Sequence, residues 1–137
     1  MFTDNGYTKE EIKMVNETRK ILHMPNLPVS ATCVRVPVAN AHAVSVMVEL
    51  EKSFTLDEVR TAFAEQEGIE VMDDVKNLIY PVSTVANDSD TVYVGRIRKD
   101  ETVESGINMW VVADNIRKGA ATNAIQIAEL LLKYNLV

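Results

Sequence analysis

The sequence contains a single cysteine, Cys33, which excludes an internal disulfide and any zinc site built on several cysteines. No apolar run approaches the roughly 20 residues that a membrane-spanning helix requires. The first thirty residues show a charged helical pattern instead of a basic stretch followed by an apolar one, so no signal peptide is apparent. We therefore expect a cytoplasmic protein with no membrane partner and no metal site.

Basic residues are also scarce. Lysine and arginine total 14 against 20 aspartates and glutamates, which gives a formal net charge of −6. The basic residues are scattered apart from Arg96, Arg98 and Lys99, whereas a protein that binds nucleic acid normally shows a basic face. The composition therefore argues against a nucleic-acid partner. A chain of 137 residues predicts one domain over 1–137, which is short for a two-domain enzyme.

Helical patterns occur at the start, middle and end of the chain. Thr8 with Glu11 three residues later predicts a capping box, and the helix that it begins runs to about His23. A second helix is predicted from Thr55 to a point before Gly68, with carboxylates in its first turn.

Valine-rich stretches between these helices predict strands, and the irregular section around Pro81 is followed by a polar run at 87–90. Pro37 is expected at an edge or bulge. This order of elements predicts an α+β fold with a mixed or antiparallel β-sheet covered by helices. The predicted strands are 30–38, 42–50, 69–72, 91–98 and 106–113.

The final helix, predicted over 118–135, carries apolar side chains around most of its circumference. A helix of this kind needs burial on more than one side. A small domain covers one side, so we expect the other to pack on a partner subunit or on another domain. A central core helix is the alternative. The apolar positions are Ala120, Ala121, Ala124, Ile125, Ile127, Ala128, Leu130, Leu131 and Leu132.

Four stretches, 31–43, 73–81, 94–100 and 109–129, together resemble aspartate-semialdehyde dehydrogenase, and the resemblance extends over about 3–137. It implies the substrate-binding and dimerisation part of that enzyme, with a fold like the C-terminal domain of semialdehyde and glyceraldehyde-phosphate dehydrogenases. The family reduces L-aspartyl-4-phosphate to L-aspartate-4-semialdehyde with NADPH and releases phosphate, at the branch leading to lysine, threonine, methionine and diaminopimelate. The implied partners are these substrates, a second copy in a homodimer or tetramer, and an N-terminal NADP-binding domain.

Two elements of the family are missing from this sequence. No glycine-rich loop follows a strand, and no cysteine lies in an Asn-Cys-Thr-like context. We interpret Cys33 as a small buried apolar residue and not as the nucleophile. This chain alone is therefore predicted to be inactive.

Arg35 and His42 match the family's Arg-x6-His spacing. The resemblance implies that the arginine binds the substrate carboxylate and that the histidine is the acid/base group. A guanidinium pairs bidentately with a carboxylate, and an imidazole exchanges a proton near neutral pH. The alternatives are a salt-bridged structural arginine and a structural histidine.

Glu10 and Lys13 match the family's Glu-x-x-Lys and share one helix face. The resemblance implies that Glu10 meets the substrate ammonium and Lys13 its phosphate. The alternative is an ordinary solvated ion pair. Glu11 is adjacent, so the choice of Glu10 rests on its spacing to Arg35.

Gly119 and Asn123 lie in a segment that matches the family's Lys-Gly-Ala-Ala-x-Asn, which approaches the nicotinamide end of NADP. The resemblance implies cofactor contacts for both, whereas helix capping and close packing of small residues are the structural alternative. Met47, Val48, Met109 and Trp110 suit a dimer interface.

Two other functions remain open. The chain could be a non-catalytic module that senses an amino acid or nucleotide through the same charged residues. It could also belong to N-acetyl-glutamyl-phosphate reductase, whose substrate has no free amine for Glu10 to bind.

Overall fold

The computed structural model describes residues 1–137 and divides into two units, Met1–Pro37 and Val38–Val137. The first unit contains one helix, and the second contains a β-sheet with the remaining helices. The single domain predicted over 1–137 stays a prediction.

Helix α1 of the first unit spans Lys9–Ile21 and begins with the predicted capping box. Thr8 Oγ1 accepts the Glu11 N–H at 3.2 Å, and Glu11 Oε2 accepts the Thr8 N–H at 2.7 Å. Acidic residues occupy its first turn and basic residues its last, which complements the helix dipole. The helix predicted from Thr8 is confirmed, ending two residues before His23.

The strand predicted at 30–38 is wrong. Residues 30–38 are in no strand, and Val34 and Val36 are exposed. The Cys33 N–H donates to the Glu11 carboxylate at 2.8 Å instead of to a neighbouring strand. Alternating valines favour an extended backbone, but a strand also requires a hydrogen-bonded neighbour.

The second unit is built on a four-stranded sheet in the order β1-β4-β3-β2. Strand β4 pairs antiparallel with β1 and β3, while β2 pairs parallel with β3, so the sheet is mixed. The α+β prediction is confirmed, and the predicted strands other than 30–38 are found within two residues of their expected bounds. The strands are β1 His42–Glu49, β2 Ile69–Val71, β3 Val92–Asp100 and β4 Gly106–Ala113.

Helix α2, Leu56–Ala64, covers one face of the sheet. It also begins with a capping box, formed by Thr55 and Glu58. Beneath it, Val94, Ile97 and Ile107 are at most 3% exposed, and each buried side chain of this kind stabilises the fold by about 1.5–3 kcal/mol. Apolar residues of α2 and of all four strands surround this cluster: Val48, Leu56, Val59, Phe63, Ile69, Val71, Val92, Met109 and Val111.

The opposite face of the sheet carries a smaller cluster. Val112 is fully buried with Ala86 of the short helix α3, Ser83–Ala86, and Tyr93 and Trp110 pack against them. The Trp110 indole donates to the Pro81 carbonyl at 3.2 Å. Since successive strand residues face opposite sides, β4 is buried on both of its faces.

Strand β3 contains a bulge between Gly95 and Arg98, and Arg96 within it has a φ of 55°. Arg60 of α2 stabilises this bulge. Its guanidinium donates to the Ile97 carbonyl at 3.0 Å and to the buried Asp73 carboxylate at 3.0 Å. The ion pair therefore connects the covering helix, the segment after β2 and the bulge.

The final helix, α4, begins later than predicted. It spans Thr122–Lys133, and the preceding Arg117–Ala121 forms a wide turn. Gly119 has a φ of 75° and its neighbours Lys118 and Ala120 are also non-helical, so a start at 118 is wrong. Most α4 side chains are exposed, including Leu132 at 65%. No helix is both long and apolar enough to cross a bilayer.

Candidate functional site

Glu10 and Lys13 project from the first turns of α1. The Lys13 Nζ lies 3.6 Å from the Glu10 Oε1, and the two side chains are 56% and 65% exposed, respectively. An exposed pair at this separation contributes little to stability, so both charges are available to a ligand. The structure therefore brings this predicted pair together on an accessible helix face.

Glu11 is committed to the protein itself. It is 7% exposed, and its carboxylate accepts the N–H groups of Thr8 and Cys33. These two backbone hydrogen bonds, the one from Thr8 first, hold the pKa of Glu11 below its usual value of 4.5. Because Glu11 is occupied and buried, Glu10 is the available carboxylate of the two.

Arg35 is exposed in the extended segment of the first unit. None of the five ion pairs within the chain includes it. Its guanidinium fork is therefore open to a carboxylate from outside the chain.

Cys33, predicted to be buried, is exposed, with its Sγ 3.4 Å from the Met14 sulfur. That prediction was wrong because it placed Cys33 in a packed strand, and the segment forms none.

His42 is the first residue of β1, where it lies opposite Ala113 of β4. The backbone is held by the sheet while the side chain is exposed. At the end of a strand the sheet fixes the backbone position of the histidine, while its imidazole remains accessible for proton transfer. Glu10, Lys13 and Arg35 belong to the first unit, and His42, Gly119 and Asn123 belong to the second.

Gly119 and Asn123 flank the start of α4. Gly119 is left-handed and a Cβ there would meet nothing within 4 Å, so the glycine is needed for its backbone conformation and not for space. Asn123 is the second residue of α4 and is half-buried. Lys118 extends over this helix and donates to Gln126 at 2.9 Å.

A polar network around this turn was missed from the sequence. Asp114, directly after β4, is 3% exposed, and its carboxylate accepts the N–H groups of Ile116 at 2.8 Å and Asp88 at 2.9 Å. These bonds, that of Ile116 first, lower the pKa of Asp114. The available signal was an aspartate directly after a strand, which is typical of a side chain that closes a turn on its own backbone.

Only part of the predicted dimer patch is exposed. Met47 is 56% exposed, whereas Val48 and Met109 pack against the buried cluster beneath α2. The alternation of the strand explains this, because Met47 and Val48 must face opposite sides of the sheet. Near Trp110 the same side carries a cavity of about 430 Å³ lined by Ser45, Tyr80, Pro81, Arg96, Arg98 and Trp110. No group of three or more histidine, cysteine, aspartate or glutamate side chains could hold a metal ion.

The fold and these residues agree with one class of protein. The family model described as semialdehyde dehydrogenase, dimerisation domain, matches residues 1–118, and the chain belongs to this family. Over 137 residues it is 54% identical to the aspartate-semialdehyde dehydrogenase of Aquifex aeolicus, covering 100% of this chain and 40% of that protein. The enzyme of the same name from Bacillus subtilis is 48% identical, covering 99% and 40%.

Solved structures agree. Aspartate semialdehyde dehydrogenase II from Vibrio cholerae, complexed with ASA, has a TM-score of 0.89 and 50% identity over 97% of this chain and 39% of that one. The Candida albicans enzyme with NADP has a TM-score of 0.79 and 28% identity over 96% and 44%. The resemblance predicted from the sequence is confirmed, and the chain spans about 40% of the length of these relatives.

Proposed function

We propose that this chain supplies the substrate site and dimer interface of an enzyme that reduces L-aspartyl-4-phosphate to L-aspartate-4-semialdehyde with NADPH and releases phosphate. The observation that carries the proposal is the 54% identity over all 137 residues to an aspartate-semialdehyde dehydrogenase. That relationship favours the aspartyl substrate over an N-acetyl-glutamyl one, whose amine is blocked. The predicted cytoplasmic location stays a prediction.

The four charged or titratable residues complement the proposed substrate group by group. Arg35 binds the α-carboxylate through its planar fork, and Glu10 binds the ammonium group. Lys13 meets the phosphate as a mobile point charge, and His42 transfers the proton as acid and base. The open guanidinium of Arg35 and the exposed Glu10–Lys13 pair support these roles, since neither is consumed in holding the fold.

NADP is the proposed cofactor, and its hydride is what the reduction requires. We assign most of its contacts to the part of the enzyme that this chain, which covers 40% of the Aquifex aeolicus relative, does not span. Gly119 and Asn123 would approach the nicotinamide end from this side. The open space around Gly119 supports this, because nothing in the chain fills it. The chain alone is proposed to be inactive because its one cysteine, Cys33, does not lie in the Asn-Cys-Thr-like context of the family's nucleophile.

A second copy is the proposed partner of the sheet face that carries Met47 and Trp110, in a dimer or a tetramer. The exposed apolar side chains of α4, among them Leu132, would contact the NADP-binding domain or the partner subunit.

The assay joins the chain to the part of the Aquifex aeolicus relative that the chain does not span, and it follows NADPH formation from aspartate semialdehyde, phosphate and NADP⁺. The two histidines of the chain give a matched pair. His42→Asn should lower kcat by about 100-fold or more, the typical contribution of acid–base catalysis, whereas His23→Asn at the end of α1 should leave it unchanged. A fused enzyme without activity, or equal effects of the two substitutions, would contradict the proposal and favour the sensing module.

Sedimentation velocity experiments on this chain and on the fused enzyme distinguish the two proposed contact surfaces, the sheet face with Met47 and helix α4. Met47→Asp should weaken dimerisation of both by about tenfold or more, since it places a charge in an apolar contact. Leu132→Asp should spare the dimer of the isolated chain if α4 serves the nucleotide domain. A chain that stays monomeric over the whole concentration series, with or without Met47→Asp, would rule out the proposed face.

A further inference from the structure

The wide turn Arg117–Ala121 is held at its beginning by Asp114. The Asp114 carboxylate accepts from Ile116 and from Asp88, and its carbonyl accepts the Lys118 N–H at 2.8 Å. Because Asp114 is 3% exposed and each of its carboxylate oxygens accepts one backbone N–H, its replacement leaves at least one of these donors unpaired. The end of β4 is thereby tied to the polar segment 87–90.

The end of the turn is held by Asp90. Its Oδ1 accepts the Thr122 hydroxyl at 2.8 Å and the Arg117 guanidinium at 3.3 Å. Arg117 also lies 4.0 Å from the Asp88 carboxylate. The first residue of α4 and the first residue of the turn are thus joined to one carboxylate.

Gly119 lies between these two attachments, in a backbone conformation that no helix propagates. Nothing in the second unit packs within 4 Å of the place its Cβ would occupy. Packing on the Cβ side of Gly119 therefore does not fix its backbone, whereas polar attachments lie on either side of it. Both oxygens of Asp114 accept backbone N–H groups, and Oδ1 of Asp90 accepts two side-chain donors, so we assign these aspartates to holding the turn and not to binding a ligand.

We propose that Asp114 and Asp90 are positioning residues that hold Gly119 and Asn123 in the arrangement required by the nicotinamide end of the cofactor. This inference rests on the proposed function. The hydrogen bonds Asp114–Ile116 and Asp90–Thr122 should affect cofactor binding alone, because none of the residues proposed to bind the substrate belongs to this network.

The test removes one hydroxyl group, that of Thr122, at the exposed end of the network. Thr122→Val removes the hydroxyl that Asp90 accepts, and Thr122→Ser keeps it. Thr61→Val, at an exposed position of α2, is the matched control. Asp114→Asn, which presents an amide donor to a backbone N–H, is the stronger variant.

In the fused enzyme, Thr122→Val should raise the KM for NADP⁺ about fivefold and Asp114→Asn about tenfold or more, as expected for the loss of one and of more than one hydrogen bond. The KM for aspartate semialdehyde and the kcat should change by less than about twofold, because a uniform binding contact is lost. Thr122→Ser should restore the KM for NADP⁺, and Thr61→Val should not change it.

Hydrogen exchange of the isolated chain is the second readout. Peptides covering 115–123 should exchange faster in Thr122→Val and Asp114→Asn, and not in Thr61→Val. Faster exchange with an unchanged KM for NADP⁺ would overturn the positioning role and leave the proposed function intact. Unchanged exchange would overturn the attachment itself. A fused enzyme without activity would overturn the proposed function, and the cofactor part of this inference with it.

Discussion

The two units of the chain are held by different forces. In Met1–Pro37 the buried residue is a glutamate, Glu11, whose hydrogen bonds join the start of α1 to Cys33. In Val38–Val137 apolar strand residues such as Ile107 and Val112 are buried on both faces of the sheet. The first unit therefore depends on polar caps and presents charges, whereas the second depends on hydrophobic burial. Binding and stability should respond separately to substitution.

Arg35→Leu in the first unit should have the largest effect, and on activity only. Loss of a bidentate carboxylate contact should lower kcat/KM for aspartate semialdehyde about 10³-fold, through a higher KM and a slower turnover. Arg35→Lys keeps the charge without the guanidinium fork, so its kcat/KM should lie between those of the unaltered enzyme and Arg35→Leu. Kinetics of the fused enzyme and urea unfolding of each variant measure both properties. A large loss of stability in Arg35→Leu would contradict the proposed separation of binding from stability. Unaltered kinetics would exclude Arg35 from the substrate site.

Ile107→Ala in the second unit should lower the stability of the fold instead of acting on substrate binding. Ile107 is 2% exposed in the cluster beneath α2, so truncation should lower the free energy of unfolding by about 3 kcal/mol. Ile12→Ala on the half-buried side of α1 should cost only about 1 kcal/mol. Urea denaturation monitored by circular dichroism compares them. Equal losses would show that the first unit is packed as tightly as the second.

The two capping boxes permit a finer comparison. Glu11 and Glu58 each accept the backbone N–H of their capping threonine, Thr8 and Thr55. Glu58 also accepts the exposed Thr55 hydroxyl at 2.8 Å, whereas Glu11 is buried and also accepts the Cys33 N–H. Replacing Glu11 by alanine should lower the urea midpoint about twice as much as replacing Glu58, because a further N–H is left unpaired. If Glu58→Ala proves as damaging, the bond to Cys33 contributes nothing.

The smallest expected effect is the pH dependence that Glu11 contributes. Its pKa is lowered by the backbone N–H groups of Thr8 and then Cys33, so its contribution is complete above the usual value of 4.5 and is lost as the pH falls through the lower folded value. The melting temperature should thus fall in acid, and Glu11→Gln should make that fall shallower. A curve identical to that of the unaltered chain would show that Glu11 keeps its usual pKa. Asp90, Asp100 and Asp114 carry lowered pKa values of the same sign, so the slope is reduced and not abolished.

Elements whose signals are local were predicted well. The capping box at Thr8 needs only two residues three positions apart. At Thr55 the helix start was predicted, whereas its capping box was found in the structure. The valine-rich strands other than 30–38 have partners within the second unit. The segment 30–38 has the same strand pattern without a partner, which no local pattern reveals. The site candidates came from spacing and resemblance, and that of Glu10 was strengthened once Glu11 proved to be buried.

By itself the sequence determined the α+β class, the family, and the residue types that suit an anionic amino acid. These depend on periodicity and on motif spacing, which are properties of neighbouring residues. The tertiary structure alone decided that Glu11 is enclosed, that Val48 faces the core while Met47 does not, and that Asp90 and Asp114 hold the turn before α4. Asp90 and Thr122 are distant in sequence, and only the folded sheet brings such polar groups within hydrogen-bonding distance.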